Sequence, residues 1–175
     1  MTSVWQFVGY KNSGKTTLIS SLIPLLKNRG FKTAVIKHDV HGFTLDHPGT
    51  DTNEFHEAGA DAVAITSPFR TAVIHEEGTS LEELIIPLQR YDLILVEGFK
   101  QEAYPKLLLL RSSEDIELID QVSEVRVLIL NPNMDKNNEL LLEFQRSSSV
   151  PIFDWNEVSK IAEWMCHKMN RLRTE

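Results

Sequence analysis

Short apolar segments of strand length alternate along the chain with longer segments whose apolar residues recur at helical spacing. The strand-like segments are residues 4–8, 33–36, 62–66, 72–75, 92–96, 106–110, 125–130 and 152–153. The helix-like segments are residues 16–29, 51–59, 81–88 and 158–169. Because this alternation is typical of parallel sheets covered by helices, the pattern predicts an α/β fold with a mostly parallel central sheet, flanked by helices in three layers.

Local signals refine this prediction in several places. Residues 67–70, Ser-Pro-Phe-Arg, separate two strand-like segments and favour a β-hairpin. Pro24 lies inside the first helical segment and is expected to bend it. Asp51 and Glu54 have the spacing of a capping box, which predicts a helix that begins at Asp51. The run Leu107–Leu110 is apolar on both faces, so we expect it either in the centre of the sheet or paired across a subunit edge.

Composition and charge narrow the classes of function. The length of 175 residues, with 42% apolar and 25% charged residues, fits a single domain over residues 1–175. Lys and Arg number 18 against 25 Asp and Glu, so the net charge is −7 and a nucleic-acid partner is not expected. Cys166 is the lone cysteine, which excludes an intrachain disulfide and a multi-thiolate metal site. No apolar run is long enough for a signal peptide or a membrane span, so we expect a cytoplasmic protein with no membrane partner.

The segment GYKNSGKT at residues 9–16 matches the phosphate-binding (Walker A) loop G-x-x-x-x-G-K-[ST]. A strand-like run precedes it and a helical pattern follows. This context suits phosphate binding, because the glycines let backbone amides turn inward and the helix N-terminus adds donors and a positive dipole end. Lys15 is expected to reach the terminal phosphates, and the hydroxyl of Thr16 to bind Mg²⁺. We interpret Lys11, in the same loop, as a solvated lysine that helps to neutralise phosphate.

A second site element is the run YDLILVEG at residues 91–98, which resembles a Walker B strand. Its chemistry requires a carboxylate at the carboxyl end of a strand next to the phosphate loop, where the carboxylate can hold Mg²⁺ or its water. Glu97 has that position, whereas Asp92 lies at the other end of the strand. The sequence therefore predicts a magnesium site formed by Thr16 and Glu97.

The polar segment at residues 37–51 is unusually rich in His and Asp. One interpretation is a transition-metal site from His38, His41 and His47, although their spacing matches no compact ligand pair. We favour a switch-like or substrate-binding loop, with candidate residues Lys37, His38, Asp39, Asp46 and Asp51. Lys100, in the segment that follows Glu97, is the sixth candidate of this switch or substrate set. A solvated loop with capping aspartates remains an alternative, and for Asp51 it is equally favoured.

Three sequence blocks occur together in one known family. They are the loop GYKNSGKTTL, the segment KHDVHGFTLDHPGTD with the helix ending EAGA, and the strand DLILVEGFK. In these blocks the chain resembles the family of molybdopterin-guanine dinucleotide biosynthesis protein B (MobB), most strongly over about the first 110 residues. The resemblance implies that the nucleotide-binding residues are Gly9, Asn12, Ser13, Gly14, Lys15, Thr16 and Thr17. It implies that Glu97, followed by Lys100, is the acidic residue at the strand end. The residues that match the family's second block are Lys37, His38, Asp46, Gly49 and Asp51.

The resemblance implies a P-loop NTPase fold with GTP and Mg²⁺ as ligands, and weak GTP hydrolysis. It further implies a homodimer that acts as an adapter to the guanylyltransferase joining GMP to molybdopterin, with molybdopterin as a further candidate ligand. The chain has no Asn-Lys-x-Asp guanine motif; residues 131–135 follow a strand where a base-binding loop could lie, but they could equally form a polar turn. Catalytic residues stay unknown, since His38 and Asp39 are candidate bases by location alone.

Two other classes of function compete with a nucleotide-dependent adapter. A P-loop small-molecule kinase is the main alternative, although such enzymes usually close an arginine-bearing lid over the transferred phosphate. In this sequence only Arg70 and Arg111 are close to suitable loops. A pure binding module, whose nucleotide only switches a partner surface, is the second alternative.

Overall fold

The computed structural model describes residues 2–39, 41–44 and 46–174, with side chains through residue 170. The strands are β1 (Ser3–Val8), β2 (Thr33–Lys37), β3 (Ala62–Ser67), β4 (Arg70–His75), β5 (Leu93–Glu97), β6 (Lys106–Leu110), β7 (Val125–Leu130) and β8 (Ile152–Asp154). The helices are α1 (Lys15–Asn28), α2 (Asp51–Glu57), α3 (Leu81–Ile85), α4 (Leu118–Gln121), α5 (Glu139–Ser147) and α6 (Val158–Thr174). Two 3₁₀ turns lie at Ile86–Leu88 and Ser113–Glu117.

The described chain divides into two compact units. The larger unit contains the described residues up to His38 and those from Leu84 onward, and the smaller unit lies within Asp39–Glu83. The larger unit is built on a six-stranded sheet of order β2-β5-β1-β6-β7-β8, in which every adjacent pair is parallel. The predicted α/β architecture with a mostly parallel central sheet is therefore confirmed.

Alternate residues of the central strands enter two apolar cores, one on each face of the sheet. Leu107 and Leu109 of β6 pack into the core that includes residues of α1 and α6. Leu108 and Leu110 pack into the opposite core with residues 116, 118 and 141. The strand thus lies in the centre of the sheet between β1 and β7, and the alternative of pairing across a subunit edge is wrong for it.

The smaller unit carries α2 and an antiparallel hairpin of β3 and β4. The hairpin is confirmed, with Ser67 paired to Arg70 across its turn. The predicted start of α2 at Asp51 is confirmed, but the capping residue lies one position earlier: the N-cap is Thr50, whose side chain accepts a hydrogen bond from the N–H of Asn53. Thr50 takes this role because its backbone is extended while Asp51 already lies in the first helical turn.

Two helical regions escaped the sequence analysis. One is the 3₁₀ turn with α4 after β6, and the other is α5 after β7. Both regions are short, five and four residues in the first and nine in the second, so their apolar residues do not extend over enough turns to form a long amphipathic pattern. Helix α1 continues across Pro24, as the helical pattern of residues 16–29 predicts. The bend expected at Pro24 stays a prediction.

Candidate functional site

The loop between β1 and α1 is shaped by close backbone approaches. A Cβ added to Gly9 would lie 2.6 Å from the carbonyl oxygen of Leu109 and 2.7 Å from Oγ of Ser13, so only glycine fits. Asn12 has a φ of 61° and Gly14, the N-cap of α1, a φ of 89°. These left-handed residues curl the loop back onto the first turn of the helix, which aims unpaired helix-end amides at one place.

Lys15 folds over this loop. Its Nζ donates to the carbonyl oxygens of Gly9 at 3.0 Å and Tyr10 at 2.8 Å, and makes a longer contact of 3.4 Å with Oγ of Ser13. Burial lowers the pKa of Lys15; Glu97 acts against this shift, and Lys37 reinforces it. The ammonium group is therefore partly dehydrated while its partners are neutral, a situation in which an anion would stabilise its charge.

Thr16 and Glu97, the two residues of the predicted magnesium site, are in direct contact. The hydroxyl of Thr16 lies 2.9 Å from both carboxylate oxygens of Glu97, although the two residues are 81 positions apart. The parallel pairing of β1 with β5 causes this meeting, because Phe7 is in register with Glu97 at the carboxyl edge of the sheet. Glu97 is only 9% exposed. A hydroxyl and a carboxylate side by side supply the oxygen ligands that Mg²⁺ prefers.

Three residues from the predicted switch or substrate set lie in the larger unit near Glu97. Lys37, in register with Glu97 on β2, places its Nζ 3.8 Å from the carboxylate. The ring of His38 stacks on Phe99 with centroids 4.4 Å apart. Lys100 donates to the side-chain oxygen of Gln121 at 2.7 Å. All three therefore have defined partners at this edge of the sheet.

The remaining three residues of that set lie in the smaller unit. Asp39 accepts a hydrogen bond from the N–H of His41 at 3.0 Å. Hydrogen bonds from the hydroxyls of Thr52 and Thr50 lower the pKa of Asp46, whose carboxylate also accepts the N–H of His47. Asp51 is an exposed residue in the first turn of α2. These contacts match the local turn and helix-end roles of Asp residues.

Tyr10 of the phosphate loop lies beside the charged side chains of Lys100 and Arg111. Lys100 Nζ and the Arg111 guanidinium are each 5.8 Å from the centre of the Tyr10 ring. Arg111 also donates to the carbonyl oxygen of Lys11 at 2.9 Å and forms a two-pronged ion pair with the buried carboxylate of Asp115. Arg111 is thus a fixed support of the loop, a different arrangement from an arginine in a mobile lid.

Two buried polar side chains missed by the sequence analysis fix the segment that follows Glu97. Gln6 donates to the carbonyl oxygens of Gly98 and Phe99, and its own carbonyl accepts the N–H of Tyr104. Lys106, paired in register with Gln6, donates to the carbonyl oxygens of Glu102 and Tyr104. Both side chains are fully buried. The available signals were a polar residue inside the apolar strand β1, Gln6, and a lysine at the start of the apolar strand β6, Lys106.

Trp155 is a further missed residue. It directly follows β8, and its indole lies against the phosphate loop, with two ring carbons 3.1 Å from where a Cβ of Gly14 would be. An aromatic residue just after the last short strand was the signal that could have identified Trp155, because ligands of parallel sheets bind at the carboxyl ends of strands.

Residues 131–135, the segment where a base-binding loop or a polar turn was expected, contain a turn in which the side chain of Asn131 accepts a hydrogen bond from the backbone N–H of Asn133 at 2.9 Å.

Neither a clustered metal site nor a membrane span is found in the described parts of the chain. Over residues 2–39, 41–44 and 46–174, no three His, Cys, Asp or Glu residues come together to hold a metal ion, so His38, His41 and His47 form no such cluster. Within the same ranges no helix is long and apolar enough to cross a bilayer.

The parallel sheet, the glycine-bounded loop at the N-terminus of α1 and the acidic end of β5 define the P-loop NTPase class of fold. The family model described as molybdopterin guanine dinucleotide synthesis protein B, MobB, matches residues 4–130. The chain belongs to this family.

Curated relatives agree over nearly the whole chain. The molybdopterin-guanine dinucleotide biosynthesis adapter protein of Haemophilus influenzae is 36% identical over 167 residues, covering 91% of this chain and 87% of that protein. The adapter protein of the same description from Escherichia coli is 30% identical over 177 residues, covering 98% and 95%.

Solved structures give the same result for the fold. A MobB protein homolog from Bacillus stearothermophilus aligns with a TM-score of 0.71 and 25% identity, over 96% of this chain and 98% of that one. HypB from Helicobacter pylori, solved in complex with nickel, aligns with a TM-score of 0.56 over 97% and 88% of the two chains. Because HypB is only 15% identical, it supports the fold alone.

Proposed function

We propose that this protein is a GTP-binding adapter of molybdenum-cofactor biosynthesis that assists the attachment of GMP to molybdopterin. In this proposal it acts in the cytoplasm as a homodimer, hydrolyses GTP only weakly, and binds the guanylyltransferase that performs the transfer. Family membership and the adapter role named for the curated relatives support the pathway. The observation that carries nucleotide binding is the phosphate loop, with Thr16 and Glu97 in contact beside it.

The loop fits a nucleoside triphosphate on physical grounds. Lys15 is partly buried and bonded only to neutral oxygen atoms, so the negative charge of a phosphate would be a better partner than the loop carbonyls. The N-terminus of α1 adds unpaired amides and the positive end of the helix dipole. Gly9, Asn12, Ser13, Gly14, Lys15, Thr16 and Thr17 are therefore the proposed nucleotide-binding residues.

The same edge fits Mg²⁺ through Thr16 and Glu97. A magnesium ion is commonly held by one or two protein oxygens together with phosphates and water, so two protein ligands are enough. When bound, the ion would neutralise charge on the terminal phosphates. Lys37 offsets the charge of Glu97 from 3.8 Å. We include Lys37, His38 and Lys100 as candidates for sensing the nucleotide, because they surround this carboxylate and the segment after it.

The proposed homodimer is supported by the surface of the hairpin in the smaller unit. Phe69 at its turn is 98% exposed, and Ile65 and Val73 on its two strands are both more than half exposed. A two-stranded hairpin is marginally stable alone, and free strand edges pair readily with other strands. A second copy of the chain would cover these residues. Asp39, Asp46 and Asp51, from the same unit, remain candidates for contact with substrate or partner, and molybdopterin remains a candidate ligand.

Calorimetric titration of GTP, GDP and ATP, each with and without Mg²⁺, tests the proposal. We expect GTP to bind more tightly than ATP, and Mg²⁺ to strengthen GTP binding. Tighter binding of ATP, with phosphate transfer to a small molecule, would instead support the P-loop kinase. Absence of binding by all three nucleotides would contradict both.

A further inference from the structure

Trp155 is an unusual neighbour for a phosphate loop. It comes from the far side of the larger unit, after the edge strand β8, yet its six-membered ring contacts Gly14 at the start of α1. Any Cβ on Gly14 would lie 3.1 Å from two atoms of this ring. Trp155 is nevertheless 39% exposed, so it is accessible to a ligand.

The main chain at Trp155 is anchored on both sides, and the ring packs against Gly14. The backbone N–H of Trp155 donates to the carbonyl oxygen of Leu130, the last residue of β7, at 2.9 Å. The preceding residue, Asp154, forms an ion pair with Lys136 at 2.6 Å, and its N–H donates to the carboxylate of Glu157. Trp155 is thus a preorganised aromatic surface, and such surfaces bind planar groups at low entropic cost.

The loop and the metal site give the direction in which a nucleotide must lie. Thr16 and Glu97 mark the end of the loop next to β5, and a metal ion held by them would neutralise charge on the terminal phosphates there. The nucleoside at the other end of the phosphate chain must therefore leave the loop away from β5, on the side of β6, β7 and β8. Trp155 lies at the loop on that side.

We propose that Trp155 forms the nucleoside-binding wall of the site and packs its exposed ring surface against the planar base. The inference rests on the proposed nucleotide-binding function. It gives this chain a contact for the base that does not depend on an Asn-Lys-x-Asp motif. Stacking of this kind tolerates either purine, so Trp155 contributes affinity for a nucleoside and leaves the choice between guanine and adenine to other groups.

The test compares two ligands that share the phosphates and differ in the nucleoside. GTP and inorganic tripolyphosphate are titrated with Mg²⁺ into the wild-type protein and into Trp155→Ala, Trp155→Phe and Trp164→Phe. Trp164→Phe is the control, because Trp164 is a partly buried residue that packs edge-on against Trp5, with ring centroids 5.4 Å apart. We expect Trp155→Ala to weaken GTP binding on the order of tenfold and to leave tripolyphosphate binding within about twofold.

Rescue and spectroscopy separate stacking from mere support of the loop. Trp155→Phe keeps an aromatic face and should bind GTP within about threefold of wild type. Addition of GTP should change the tryptophan fluorescence of wild type and of Trp164→Phe, and this change should be lost in Trp155→Phe. Equal losses of GTP and tripolyphosphate affinity in Trp155→Ala would overturn the inference, and so would an unchanged affinity for GTP. If wild type binds tripolyphosphate but gains nothing from the nucleoside, the inference fails while the phosphate site stands. If it binds neither ligand, both fail.

Discussion

The two units of this chain differ in how far their strand residues are buried. In the larger unit the strands β5, β6 and most of β7 are buried on both faces, and Phe7 has no exposed surface. In the smaller unit β3 contains a single buried residue, Val63, and β4 contains none. The larger unit therefore has the packed interior that holds site residues in fixed positions, whereas the smaller unit exposes apolar surface of the kind found at interaction sites.

The largest expected difference between the units concerns stability. Phe7→Ala removes a fully buried ring from the core and should lower the free energy of unfolding by about 3–5 kcal/mol. Phe69→Ala, in dilute solution where any dimer has dissociated, should change it by less than about 0.5 kcal/mol. Urea denaturation of both variants measures the free energy of unfolding. Similar losses of stability in the two variants would contradict the predicted difference between the units.

The next effect concerns nucleotide binding by the larger unit. Lys15→Ala should weaken triphosphate binding at least about a hundredfold, because several charge-assisted hydrogen bonds are lost while the fold remains. The matched control is Lys27→Ala, a lysine in the last turn of the same helix. Calorimetry gives the affinities, and circular dichroism checks the fold. Unchanged affinity in a folded Lys15→Ala protein would remove the phosphate loop from the account.

A smaller effect separates the metal from the phosphates. Glu97→Gln keeps the size of the side chain but removes the charge, so it should reduce the gain in GTP affinity due to Mg²⁺ by about tenfold. Binding without Mg²⁺ should change much less. Glu163→Gln, an exposed position on α6, serves as the control. If Glu97→Gln weakened binding equally with and without the metal, Glu97 would be a structural residue.

The smallest predicted effect depends on pH. Burial acts to raise the pKa of Asp115, but hydrogen bonds from the side chain and the N–H of Arg111 outweigh it, so the pKa lies below its ordinary value of 3.8. Because the folded-state value is depressed, the stabilisation is complete above the unfolded value and disappears as the pH falls through the folded one. The stability advantage of wild type over Asp115→Asn should therefore shrink below about pH 4. Thermal melting between pH 3 and 7 would show this, and a constant difference would contradict it.

Much of the fold could be predicted from sequence because each strand of the larger unit has a distinct apolar signal. The runs at residues 106–110 and 125–130 match β6 and β7 without error. Short helices were missed, since α4 has only four residues and α5 has a single buried residue, Leu141. Such helices depend on tertiary packing, which a local pattern does not contain.

The candidate site likewise contains residues that a sequence motif identifies and residues that only the fold reveals. Lys15, Thr16 and Glu97 could be found because the phosphate loop has a fixed spacing and the acid ends a clear strand. Gln6 and Trp155 gave only weak signals, a polar residue in an apolar strand and an aromatic residue after the last strand. Their contacts could not be predicted, because their partners are 92 and 141 residues away, at Gly98 and Gly14, and only the sheet order brings them together. Single polar or aromatic residues give no motif, so their roles emerge only from the contacts in the fold.

The adapter role is tested most directly by light scattering on the protein alone and mixed with the guanylyltransferase that joins GMP to molybdopterin. Alone, at micromolar concentration, the protein should have about twice its chain mass of 20.0 kDa. In the mixture, a complex heavier than either component should contain both proteins. A monomeric mass across the concentration range, together with no complex in the mixture, would contradict the adapter role and favour the kinase.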